Sequence, residues 1–266
     1  MPSGCGSPGA EIARRTPTAV HFPASALALA AVLGPFPAPA LAMHLADGIL
    51  PLGWAALWTA AALPFVAVAL RVLRRRAAED PRAMPLVALV AVVVFLVSCM
   101  PIPIPFVGTC SHPCGTGLAG ILVGPWLAVL AALVALVLQA LFLAHGGLTT
   151  LGADVLSMGV AGAFTGWAVF QLARRAGIGL APAAFAAGVL SDWATYATTS
   201  LELATALRGT RPLGEAFAAA AIAFVPTQLP LGLLEGLVTA GAVAFVARRR
   251  PDLLERLGVT NPGGTA

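Results

Sequence analysis

Uncharged apolar runs long enough to cross a lipid bilayer recur along this chain, and several close on short clusters of arginine. A segment that is hydrophobic all round belongs either in the centre of a large core or in lipid. Here 59% of the residues are hydrophobic and 10% charged, with a mean hydropathy of +0.92. Such a chain lacks the polar groups to cover a water-facing surface, so it reads as an integral membrane protein. The runs show no alternation of period two, which selects helices over a barrel. Although the sequence pI is near 9.4, the basic residues sit between apolar runs. That is the footprint of cytoplasmic loops and not of a nucleic-acid groove. All 15 basic residues are arginine. Without a lysine there is no Walker A loop, which excludes an ATPase.

Residues 1–42 read as a cleaved targeting signal. Arg14-Arg15 supply its positive region, Ala24 to Leu33 its apolar core, and Ala40-Leu41-Ala42 a small-residue cleavage site. The competing reading, an uncleaved first membrane helix, is opposed by Pro35, Pro37 and Pro39, which break the run before a span is complete. Cleavage makes Met43 the new N-terminus, outside the cytoplasmic membrane.

The first span, from about Trp54 to Leu73, ends in Arg71, Arg74, Arg75 and Arg76, with Arg82 beyond. The positive-inside rule makes that loop cytoplasmic, in agreement with an external Met43. A second span (Pro85 to Met100) returns outward into the loop Pro101 to Cys114. The stretch Gly115 to Gly146 is too long for one span, and Gly124-Pro125 divides it into a short Gly-rich span and a longer one. Spans over Val155 to Ala173, Ala183 to Ala206 and Leu231 to Ala247 follow. Gly214 to Val225, interrupted by Pro226 and Pro230, reads as an external or re-entrant helix. The expectation is an all-α bundle of about seven transmembrane helices, N-terminus out and C-terminus in. Its membrane domain covers 43–250, and 251–266 form a disordered cytoplasmic tail. Small residues at four-residue spacing, Gly162 with Gly166 and Ala56 with Ala60, are expected to let helices approach closely.

Chemistry is concentrated in Met43-His44. A free terminal amine, the next amide nitrogen and the His44 imidazole form a planar three-nitrogen chelate, and an α-amino group needs little help to deprotonate. A fourth nitrogen completes a square, the geometry of Ni(II) or Cu(II) sites. His112, in the loop on the same side of the membrane, is the expected donor. Cys110 and Cys114 flank it, and three states are open to them: a disulfide, thiolates sharing a metal with His112, or inert free thiols. Cys99 is left over in each case.

These residues also carry a resemblance. Met43-His44-Leu45-Ala46-Asp47-Gly48-Ile49-Leu50-Pro51, Cys110-Ser111-His112-Pro113 with Gly115-Thr116-Gly117, and Ile121 to Trp126 look like one known family. So do Gln139-Ala140-Leu141, Ala144-His145-Gly146-Gly147-Leu148-Thr149-Thr150-Leu151-Gly152-Ala153 and Ser157-Met158-Gly159. The family is the cobalt/nickel substrate-capture subunit of energy-coupling-factor transporters, the CbiM/NikM type, and the match is nearer the cobalt branch. The resemblance implies that Met43, His44 and His112 bind Co(II) or Ni(II) as cargo, with no resident cofactor and no catalytic residues. It also implies a multi-pass protein of the bacterial cytoplasmic membrane working with separate ATPase subunits, a transmembrane coupling subunit and a small accessory membrane protein. Cys114 departs from the family pattern, where a small or Thr-like residue is expected.

Among the remaining polar residues, Asp154, Asp192, Glu202 and Glu235 are costly in a bilayer and mark function or internal bonding. Asp154 is expected to cap a helix, and Asp192 and Glu235 to pair or hydrogen-bond inside the bundle. His145 reads as an interfacial structural residue in preference to a metal contact. Asp47 either orients the His44 ring or starts a turn with Gly48. A stand-alone secondary transporter is the alternative function; it would couple ions through Asp192 and Glu235.

Overall fold

The structure is a computed structural model that describes residues 45–99, 102–103, 110–143 and 145–260. The expected targeting segment 1–42 and the expected ligands Met43 and His44 lie outside the described residues. What is described is an all-α bundle within the unit Pro37–Ala266. Its helices are α1 (Leu52–Glu79), α2 (Ala83–Ser98), α3 (Thr116–Val123), α4 (Pro125–Phe142), α5 (Leu151–Arg175), α6 (Leu180–Leu207), α7 (Leu213–Arg249) and α8 (Pro251–Arg256). A two-residue antiparallel pair, Ile102–Pro103 with Cys110–Ser111, closes the base of the loop between α2 and α3. Among the described residues, α1, α4, α5 and α7 are long and apolar enough to cross a membrane.

The packing is that of a protein dissolved in lipid. On α1 the buried residues are Ala55, Ala62 and Ala69, seven apart, while Leu57, Leu63 and Leu70 are exposed. Lipid tails solvate leucine as well as a protein core does, so small residues turn inward where backbones must approach. The close-contact positions on α1 are therefore these heptad-spaced alanines. Ala56 and Ala60 are exposed, contrary to the spacing argument. Gly162 and Gly166 behave as expected. A Cβ on Gly162 would meet Thr195 Oγ1 at 2.5 Å, and one on Gly166 would meet the Gly117 α-carbon at 2.7 Å.

Two element boundaries differ from the sequence expectation. The short Gly-rich span is α3, of 8 residues, or roughly 12 Å at the helical rise, far less than a crossing. It is a half-helix buried on nearly all sides among α4, α5 and α6. Gly115 (φ 71°) opens it, and Gly124 (φ 83°) with Pro125 turns the chain back into α4. The second difference is α7. Gly214 to Val225 and the last span form one continuous helix of 37 residues through Pro226 and Pro230. A proline removes one backbone bond, and neighbouring helices supply what it frees. The residues beyond Arg250 are not all irregular either, because Pro251–Arg256 form α8 and bury Leu254.

Helix directions alternate along the chain, and they decide where the polar groups gather. α1 and α5 start together: a Cβ on Gly152 would meet the Thr59 α-carbon at 2.2 Å. The other end of α4 meets α1 and α5 through Trp126, which stacks on Phe65 (6.2 Å) and stands edge-on to Phe164 (4.9 Å). α6 and α7 pack antiparallel along their length, with Trp193 Nε1 donating to the Gln228 carbonyl at 3.0 Å. One end of the bundle thus holds residues 45–51 and 145–151. The other holds Arg71 to Arg76, Arg174, Arg175 and Arg248 to Arg250. Among the described arginines, only Arg208 and Arg211 stand at the first end, between α6 and α7.

Candidate metal centre

His112 is 1% exposed, in an extended segment whose backbone has no helix or sheet to bond to. Buried amides of that kind need acceptors. Glu235 of α7 provides them, accepting Cys114 N–H at 2.6 Å and Gly115 N–H at 3.0 Å. One carboxylate inside the bundle therefore fixes the loop that carries the histidine. This is the internal hydrogen bonding expected of Glu235.

The His112 ring is held at both nitrogens. Nδ1 lies 3.1 Å from the Pro113 carbonyl, and Nε2 lies 2.9 Å from Nε2 of His145. A carbonyl can only accept, so in the neutral ring Nδ1 carries the proton and Nε2 keeps its lone pair. His145 then donates to that lone pair. The nitrogen of His112 with a lone pair to offer is thus Nε2, and His145 covers it. His145 is half-buried, and its backbone N–H donates to the Gln139 carbonyl at 3.2 Å. Gln139 in turn donates to Ser98 Oγ at 2.8 Å, tying α4 to α2. The sequence reading of His145 as an interfacial structural residue did not foresee its bond to His112, since a histidine at the end of a span has an ordinary interfacial explanation.

The segment that follows Met43 and His44 in the chain is gripped as firmly. Leu45 is fully buried, and its N–H donates to Asp154 Oδ1 at 3.0 Å. The Thr150 hydroxyl donates to the Leu45 carbonyl. Asp154 therefore holds the backbone of the segment that follows His44, where a helix-capping role was expected; no side-chain cap is seen at that helix start among the described residues. Asp47 accepts Thr149 N–H at 2.8 Å and the Thr149 hydroxyl at 2.5 Å. Those two bonds hold its carboxyl below the usual value. Gly48 takes the turn that follows, at φ 86°. The same stretch, 145–154, that touches His112 at one end clamps Leu45 at the other. His44 is the residue next to that clamp.

Beside Asp154 lies Glu202 of α6, fully buried, with no hydrogen-bond partner at either carboxylate oxygen among the described residues. Two carboxyl groups beneath Leu45 make this end of the bundle attractive to a cation. Cys114 is a free, fully buried thiol, which removes the disulfide with Cys110 from the open alternatives. Its Sγ lies 3.9 Å from Asp192 Oδ1.

Nitrogen donors and buried acids inside a bundle coated with leucine define a membrane-embedded component of a transition-metal transporter. Solved structures agree. The chain resembles a crystal structure of a truncated transition metal transporter and one of a transition metal transporter, each with a TM-score of 0.67 and 25% identity over 77% of this chain. Of those two chains, 99% and 93% are covered. Residues 44–253 match the family model CbiM, the cobalt uptake substrate-specific transmembrane region. The chain is 64% identical over 225 residues to the cobalt transport protein CbiM of Sorangium cellulosum, covering 84% of this chain and all of that one. It is 61% identical over 226 residues to the protein of the same name in Geobacter sulfurreducens, covering 85% of this chain but 65% of that longer relative. The chain belongs to the CbiM family.

Proposed function

We propose that this chain is the substrate-capture subunit of an energy-coupling-factor transporter, taking up Co(II), with Ni(II) as the other ion its donors suit. The ion binds at the external face to the Met43 amine, the His44 amide nitrogen and imidazole, and His112 Nε2. Partner ATPase subunits, acting through a transmembrane coupling subunit and assisted by a small accessory membrane protein, drive its delivery inward. The chain hydrolyses no ATP itself.

The observation that carries this reading is the clamp on Leu45. Residues 147–154 hold both backbone polar groups of the residue after His44, and His145, in the same stretch, meets the His112 ring. Both observations support a meeting of the postulated donors at that end of the bundle. The arginine clusters at the opposite end support an external N-terminus and a cytoplasmic C-terminus in the bacterial inner membrane. Removal of residues 1–42 is supported by the family match, which starts at His44.

The chain's own residues then act in sequence. Pro113 fixes the His112 tautomer, His145 gives up its hydrogen bond as the ion arrives, and Asp154 with Glu202 offsets the added positive charge. Inward release requires at least one nitrogen donor to loosen. N-terminal sequencing of the membrane-inserted protein, combined with its metal content, tests the reading. Met43 as first residue with one Co(II) per chain is expected, and His44→Ala and His112→Ala should each abolish uptake while leaving insertion intact. Undiminished tight binding in either variant would refute the four-nitrogen site.

A further inference from the structure

Two residues beyond His112, the same loop meets α6 and α7 deep in the bundle. Cys114 Sγ, an oxygen of Asp192 and an oxygen of Glu235 lie within 4.8 Å of one another. All three side chains are buried, none more than 1% exposed. Glu235 is held rigidly by the two loop amides it accepts. Asp192 is not held in that way. Its Oδ1 contacts only the Cys114 thiol among the described residues, and its Oδ2 is buried with no hydrogen-bond partner among them. Thr195, one helical turn from Ser191, adds a hydroxyl beside the thiol.

Such a group of donors is expensive to bury without a cation. The chain has no lysine, and the described arginines lie at or beyond the helix ends. The ion pair seen among the described residues, Arg250–Asp252, is on the surface. A divalent ion that displaces the thiol and carboxyl protons would supply that cation. One thiolate with two carboxylates is a mixed soft and hard set that suits first-row ions such as Co(II) or Zn(II). Around a tetrahedral ion with ordinary bond lengths, donors sit roughly 3.5 Å apart. Small side-chain adjustments take the present spacing to that value.

We propose that Cys114, Asp192 and Glu235 form a second divalent transition-metal site, inward of the nitrogen site, which receives the ion after it leaves His112. Its place on the transport route rests on the proposed function, but the existence of the site does not. Because the three donors come from a loop and two different helices, relative movement of α6 and α7 would open the site and release the ion. That supplies a physical step between capture and delivery. The cysteine also gives the inner site a spectroscopic label.

The test uses the processed full-length protein with Cys99 and Cys110 replaced by serine, titrated with Co(II) alone. His112→Ala in this background removes the nitrogen site. The expected result is a remaining Co(II) ion that shows a thiolate-to-cobalt charge-transfer band in the near ultraviolet. Cys114→Ser should abolish that band, and Asp192→Asn should weaken the remaining binding by more than about tenfold. No band in the His112→Ala protein, or a band that survives Cys114→Ser, would overturn the inner site. In otherwise intact protein, Cys114→Ser should keep the nitrogen-bound ion and lower uptake by about tenfold or more; unchanged uptake would overturn the transit role. If the unmutated protein binds no ion through nitrogen yet shows the sulfur band, the capture reading fails and the inner site stands.

Discussion

His145 and His112 illustrate how much a single proton decides. With their Nε2 atoms 2.9 Å apart, one ring must donate and the other accept, and Pro113 leaves His112 as the acceptor. The same separation is roughly that of adjacent nitrogens around a square-planar ion with bonds of about 2.0–2.1 Å. On the proposed function, His145 is therefore placed to meet the incoming metal before or as it reaches His112. His145→Ala should weaken Co(II) binding roughly 10–100-fold while the fold persists, and His145→Gln, which keeps an N–H donor, should recover part of the loss. Calorimetric titration of both variants checks this, and equal affinity to the parent would make His145 merely interfacial. Asp47 sets a separate, pH-dependent term. Its carboxyl lies below the usual value because Thr149 donates to it twice, so the bonds to Thr149 contribute fully above the ordinary carboxylate range. They are lost as pH falls through the lowered value. Hydrogen exchange of the Thr149 amide in the metal-free protein reads it directly: protection should drop in acid, and Asp47→Asn should lower it at neutral pH as well.

The element on which the site depends most is the half-helix α3, which ends the loop carrying His112 and Cys114. Its position is set by absent side chains. A Cβ on Gly120 would meet the Ala163 carbonyl at 2.7 Å, and one on Gly117 would meet Ser191 Cβ at 2.8 Å. Backbone cannot yield there as a flexible side chain would. Gly120→Ala should therefore destabilise the protein by about 1–3 kcal/mol and reduce metal binding, because the displaced helix moves the loop. Gly241→Ala in α7, where nothing lies within 4 Å, serves as the control and should leave thermal stability in detergent unchanged or slightly raised. This element was only half legible in the sequence. Gly124-Pro125 announced the reversal correctly, but hydropathy measures how apolar a segment is, not whether lipid or protein surrounds it. A half-helix enclosed by α4, α5 and α6 therefore reads like a span. Pro226 and Pro230 misled in the opposite sense, since tertiary packing carries α7 through them. His112 was legible as a loop histidine. That Glu235, 121 positions... away in the chain from Cys114, would hold its loop was not, because long-range pairing of a lone acid leaves no local pattern.

At the scale of the whole molecule, the proposed processing event and the structural clamp make separable demands on the chain. The clamp does not need a free terminus: Leu45 is bonded through its own N–H and carbonyl, and Asp47 through its side chain. The proposed chelate does need one, because the Met43 amine is its proposed first donor. Folding and metal capture should therefore separate when processing is blocked. Replacing both Ala40 and Ala42 with bulky residues removes the small side chains that signal cleavage requires. The uncleaved protein should insert and keep the stability of the bundle, yet lose high-affinity Co(II) binding, since an amide nitrogen replaces the terminal amine at Met43. A specific protease site placed immediately before Met43 in that variant provides the rescue. Cutting the purified protein there regenerates the amine and should restore one bound Co(II) per chain, whereas cutting that leaves one extra residue before Met43 should restore little, since the amine then lies outside chelating reach. Equal binding by the uncut and the cut protein would mean that the terminal amine is not a ligand, and His112 with His145 would have to hold the ion with a different set of donors.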